Sequence, residues 1–122
     1  MREIKFRVWD SEEIISLSEA FLKYLIGIQE DDKSNQLEVF YNNVKLMQYT
    51  GLKDENGVEI YEGDIIKHDV NMSQVFYNSK HCAFMLNGIG VKTRGYLRLG
   101  QVSFLWIEVI GNTYENPELL KG

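Results

Sequence analysis

One cysteine and two histidines are all that a chain of 122 residues holds of the side chains most used for staples and metal sites. With Cys82 alone no internal disulfide forms, which excludes a disulfide-built secreted domain and suits a reducing compartment. With His68 and His81 as the only imidazoles, a metal centre has little to draw on, because such a site needs three or four converging ligands. Long apolar runs are missing as well. Stretches such as Phe104 to Ile107 fall far short of the ~20 residues that cross a bilayer, and Met1-Arg2-Glu3 leads into an alternating segment, not into the apolar core of a signal peptide. The expectation is a chain neither exported nor embedded in a membrane. Positive charge is also in deficit. Thirteen Lys and Arg against eighteen Asp and Glu leave a net charge of -5, so a phosphate backbone is repelled at long range.

Apolar material is plentiful, at 44% hydrophobic and 12% aromatic residues. That is enough to bury most of the surface of a chain this long, and the length predicts a single domain over 1–122 with one core. Arg2 to Trp9 alternates, with Ile4, Phe6 and Val8 on one side, the pattern of a half-buried strand. Ile14, Leu17, Phe21, Tyr24, Leu25 and Ile28 then recur at helical spacing. Ser16 and Glu19 form a Ser-x-x-Glu start, and Gly27 marks the end. Residues 30–35 form a polar connector. Leu37–Tyr41 and Val44–Tyr49 read as two strands around Asn42-Asn43, residues that tolerate a tight hairpin.

From Thr50 to Gly63 the chain is punctuated by Gly51, Asn56-Gly57 and Glu62-Gly63, which predicts a long ordered loop with one or two tight turns. Short β-rich stretches follow at Asp64–Val70, Val75–Tyr77, Cys82–Leu86, Val91–Leu99 and Val102–Ile110. Their spacing predicts a mainly β fold: a small antiparallel barrel or curled sheet, SH3-like in style, with one N-terminal helix. Asn116 before Pro117 suits the cap of a short C-terminal helical turn, with Leu119 and Leu120 docking on the body. The neighbours Ala83 to Leu86 predict a buried Cys82.

Constellations for chemistry are sparse. No Ser sits in a Gly-x-Ser-x-Gly elbow, and Asn87-Gly88-Ile89-Gly90 lacks the lysine and helix of a phosphate loop. Asp64 and His68 share a strand face, but residues four apart are about 13 Å from each other, too far to ligate one ion with His81. Asp64 is better placed to satisfy the amides of a Gly-Asp turn. No catalytic residue, metal or cofactor is assigned. A strip of Lys92, Arg94, Tyr96 and Arg98 alternates along one stretch and offers charge with a stacking ring. It supports an alternative reading as a nucleic-acid-binding barrel, set against a plain solvated sheet face.

Three segments, MREIKFRVWD, LMQYTGLKDENGVEIYEGDII and IEVIGNTYENPELL, resemble the YopX family of small phage and prophage proteins. The resemblance implies a largely β fold with a small barrel, life in the cytoplasm of an infected or lysogenised bacterium, and no assigned activity. No catalytic residue carries over. The leading expectation is a non-enzymatic accessory protein that self-associates, since small barrels leave strand edges to cover. It would meet a host or phage protein through the 50–63 loop, with Lys53, Asp54, Glu55 and Tyr61 as its contact residues.

Overall fold

The computed structural model describes residues 3–26, 44–68, 70–90, 97–101 and 106–121. The chain divides into two compact units, one of Lys5–Gln48 and one of Met1–Ile4 with Tyr49–Gly122. Among the described residues no helix is long and apolar enough to cross a membrane.

In the smaller unit, β1 (Phe6–Trp9) runs antiparallel between β2 (Ile14–Ser16) and the first residues of β3 (Lys45–Lys53). The alternation read for strand one holds from Phe6 onward, with Val8 fully buried and Ile4 exposed. Asp10 shapes the connection to β2, its carboxylate accepting the amides of Glu12 and Glu13 at 2.9 Å each. The helix α1 spans Leu17–Ile26. It starts where the sequence says it should, since Ser16 Oγ accepts the Glu19 amide at 3.1 Å and so satisfies one free donor of the first turn. Ile14 belongs to β2 opposite Trp9 and not to the helix, because the cap at Ser16 excludes everything before it. Val8, Ile15 and Ala20 form the core of this unit, with Leu17 and Val44 against them. The first arm of the expected hairpin, Leu37–Tyr41, lies outside the described residues, as does Gly27.

The larger unit continues β3 from Tyr49 and adds β4 (Glu59–Tyr61), β5 (Asp64–His68), β6 (Asn71–Asn78), β7 (Ala83–Ile89), β8 (Leu97–Arg98) and β9 (Ile107–Asn112). Five of these make a curled antiparallel sheet in the order β8-β7-β6-β5-β9. The fold is mainly β, as its turn spacing and alternation lead one to expect. Ile66, Val75, Leu86 and Ile107 from the sheet meet Ile60 of β4 and Leu99 of a 3-10 turn at Leu99–Gln101, each no more than 3% exposed. Each such side chain contributes about 2 kcal/mol relative to leaving it in water. Ile65 and Ile66 are adjacent and both fully buried, as are Met85 and Leu86 to within 4%. Neighbours on a strand point to opposite faces, so the sheet is covered on both. The C-terminal 3-10 turn, Pro117–Lys121, packs beside β7, with Leu119 half-buried and Leu120 more exposed. Among the described residues the buried apolar side chains form two clusters, one in each unit.

Cys82 corrects an expectation. It is exposed, ends the turn after β6 with φ 48, and its thiol donates to the Ser79 carbonyl at 3.4 Å. The apolar run beside it belongs to β7, which begins at Ala83.

Candidate functional site

The stretch from Tyr49 to Asp64 is a β-hairpin and not a loop, and the side chains of Thr50, Asp54 and Asp64 hold its backbone in place. Tyr49 pairs with Tyr61 and Lys53 with Glu59, so two extra residues of β3 bulge between those pairs. Gly51 takes φ 88 there, a conformation that side chains resist. Thr50 bridges the interruption, its hydroxyl donating to the Ile60 carbonyl at 2.7 Å and accepting the Leu52 amide at 3.2 Å. The turn itself closes with the Gly57 amide on the Asp54 carbonyl at 3.0 Å and the Asp54 amide on the Val58 carbonyl at 2.8 Å. Gly57 sits at φ 80, which makes this a three-residue hairpin loop ending in a glycine bulge.

Asp54 is only 6% exposed. One carboxylate oxygen accepts the amides of Asn56 and Val58, at 2.9 and 2.8 Å, and the other accepts the Val109 amide of β9 at 2.9 Å. Beside it the Glu55 amide donates to the Ile107 carbonyl at 3.0 Å. The next turn is built the same way. Gly63, at φ 87, donates to the Val75 carbonyl and accepts from Thr113, and the fully buried Asp64 takes the Tyr61 amide at 2.7 Å. Asp64 therefore serves turn amides, as its place in the sequence suggests.

A third polar knot lies at the C-terminal end of β9. Asn112 Oδ1 accepts the amides of Tyr114 and Glu115 at 3.0 and 2.9 Å, and its Nδ2 donates to the Glu115 carboxylate at 2.7 Å. The Asn116 side chain turns back and accepts the Asn112 amide at 3.2 Å, while its carbonyl accepts Leu119 N–H at 3.1 Å. Its side-chain oxygen thus closes the strand end, while its main chain opens the Pro117–Lys121 turn from the cap position that the sequence suggests. Burial, and then the charge of Glu62, hold the Tyr114 phenol above its usual 10.0.

Of the residues expected to contact a partner, Lys53 and Glu55 are exposed, whereas Asp54 and Tyr61 are buried. The Tyr61 ring lies 5.4 Å from that of Tyr49, centroid to centroid, and its hydroxyl reaches the Glu59 carboxylate at 3.4 Å. Of the basic strip, Arg98 is exposed in β8, and Lys92, Arg94 and Tyr96 lie outside the described residues. Asp64, His68 and His81 do not come together. His68 Nε2 lies 3.3 Å from Ser73 Oγ, and the His81 amide donates to Asn78 in the turn before β7. Among the described residues no three His, Cys, Asp or Glu side chains converge on one ion. The Asp54–Val109 contact spans 55 residues and had no local sequence signal. Only the punctuation of the hairpin was visible.

Two solved structures share this fold. Protein EF1440 from Enterococcus faecalis is 23% identical with a TM-score of 0.59, and the YopX protein from Bacillus subtilis is 24% identical with a TM-score of 0.56. Each alignment covers 98% of this chain and 99% of the other. Among curated proteins none matches. The YopX protein family matches residues 5–121, across both units and all three polar knots, and on that match the chain belongs to the YopX family.

Proposed function

We propose that this is a phage or prophage accessory protein of the bacterial cytoplasm that works by binding and not by catalysis. It acts as a homo-oligomer that presents a β surface and the 50–63 hairpin to a host or phage protein. The observation that supports this best is where the polar side chains of the family segments point. Thr50, Asp54, Asp64, Asn112 and Asn116 all use side-chain oxygens on backbone amides within four residues of themselves, and Asp54 holds the Val109 amide as well. General acid–base or nucleophilic work needs such groups aimed at a substrate instead. Outward, the hairpin offers Lys53, Glu55 and Val58, and the same unit leaves Trp106 at 72% and Val70 at 85% exposure. Exposed aromatic and apolar side chains among mixed charges are the ordinary material of protein interfaces.

Light scattering over a range of concentrations is the first test, and a mass fixed at one chain throughout removes the oligomer. Titration against single- and double-stranded DNA and RNA at two salt concentrations is the second. The interaction reading expects no salt-dependent affinity. Affinity that falls with salt and weakens in Arg98→Ala would replace that reading with nucleic-acid binding through Lys92, Arg94, Tyr96 and Arg98.

A further inference from the structure

The strand β9 lies at one margin of the five-stranded sheet. β5 pairs with one of its sides, and among the described residues no strand pairs with the other. Trp106-Ile107-Glu108-Val109-Ile110 is rich in the residue types that pair most readily as strands. A margin of this composition templates another strand unless something blocks it.

The block is specific. The Ile107 carbonyl and the Val109 amide flank Glu108, and they are the acceptor and donor that an added strand would engage. Glu55 N–H donates to the first at 3.0 Å, and the Asp54 carboxylate accepts from the second at 2.9 Å. Two consecutive hairpin residues therefore imitate one rung of a neighbouring strand, with a carboxylate oxygen standing in for a backbone carbonyl. Asp54 is bound to the fold from behind, because its other oxygen is held by the Asn56 and Val58 amides. The rung ends there, since the chain turns away at Asn56-Gly57.

We propose that Asp54–Glu55 is a strap that closes β9 against strand addition, and that the strand it excludes is the β9 of a second copy of this chain. A second copy fits because two β9 margins related by a two-fold axis meet antiparallel, each offering the same donor and acceptor the other lacks. The strap goes beyond the interaction role above. It names an edge that the native fold leaves shut, and it stands or falls whatever partner the hairpin tip meets.

Two substitutions open the strap in different ways. Asp54→Asn keeps an oxygen for Asn56 and Val58 but turns an amide nitrogen toward Val109 N–H, donor against donor. Glu55→Pro removes only the N–H that reaches Ile107, at the second position of a turn where proline is favoured. Val75→Ala is the control. It weakens the core and leaves the strap intact. Light scattering and amide exchange of the full chain are the readouts. In Asp54→Asn the Val109 amide is expected to exchange about tenfold faster in dilute solution, whereas Glu55→Pro keeps the Asp54 carboxylate on that amide and is read by mass alone. Their mass is expected to climb with concentration to about twice that of the wild-type species, as one more interface forms, while Val75→Ala keeps the wild-type mass. If Asp54→Asn fails to fold, Glu55→Pro decides, since it removes no other bond. Folded strap variants that keep the wild-type mass, or a rise in Val75→Ala equal to theirs, overturn the proposal.

Discussion

Every buried polar residue described in this chain lies in the larger unit: Thr50, Asp54, Asp64, Ser73 and Asn112. The smaller unit buries Val8, Ile15, Ala20 and Met47. Among the described residues the two units are held by different physics. A buried oxygen or amide without a partner costs about 1–3 kcal/mol, so each polar knot admits one local geometry and pins the register of the strands it joins. An apolar cluster such as Val8, Ile15 and Ala20 asks only for roughly the right volume, and it leaves definition of the helix start to an exposed cap. The family segments fall mostly where geometry is exacting.

The largest loss of stability is expected at Gly111. A Cβ there would strike the Asn116 side chain, meeting its Oδ1 and lying 2.8 Å from its Cγ. That side chain is not free to swing, because it holds the Asn112 amide at 3.2 Å. Gly111→Ala is therefore expected to cost about 2 kcal/mol through overpacking and the loss of that bond, measured as a shift of the urea midpoint at unchanged slope. A loss of a few tenths would mean that the knot tolerates change as an apolar cluster does.

In the smaller unit the corresponding single point is Ser16. Ser16→Ala removes the acceptor for the Glu19 amide and is expected to cost about 1 kcal/mol, the usual worth of a helix cap. Exchange at the Glu19 amide and helical circular dichroism check it. A cost equal to that of Gly111→Ala would erase the distinction between the units.

What could be read in advance follows the same division. Local grammar was legible. The Ser16 cap, the alternation of Phe6 to Trp9, and the turns at Asn56-Gly57 and Glu62-Gly63 each depend on residues within four positions of one another. Long-range use of local signals was not. Gly51 looks like a loop marker because glycine supplies positive φ, yet it supplies it to a bulge inside a strand. Asp54 looks like a charged loop residue until β9 comes back to it. Tyr61 looks exposed beside Glu62-Gly63, but the tilted ring of Tyr49 packs against it across the hairpin. Cys82 looks buried because its apolar neighbours are counted with it, although the strand starts one residue later. The interaction residues read from the 50–63 segment thus divide, with Lys53 and Glu55 outside and Asp54 and Tyr61 within.

The larger unit also holds a group that titrates at high pH. Tyr114 follows Asn112 at the end of β9, and its phenol is raised above 10.0 by burial and by Glu62. A phenol whose folded value is raised is better held as the neutral form. Its contribution is complete below the unfolded value of about 10 and is lost as pH climbs through the higher folded value. Wild-type stability is therefore expected to fall more steeply above pH 10 than that of Tyr114→Phe, which has no proton to lose there. Glu62→Gln removes the smaller of the two causes, so it should lower the Tyr114 midpoint only partway, as followed by phenolate absorbance. Parallel stability curves for wild type and Tyr114→Phe above pH 10 would show that the polar knot at Asn112 does not feel this charge.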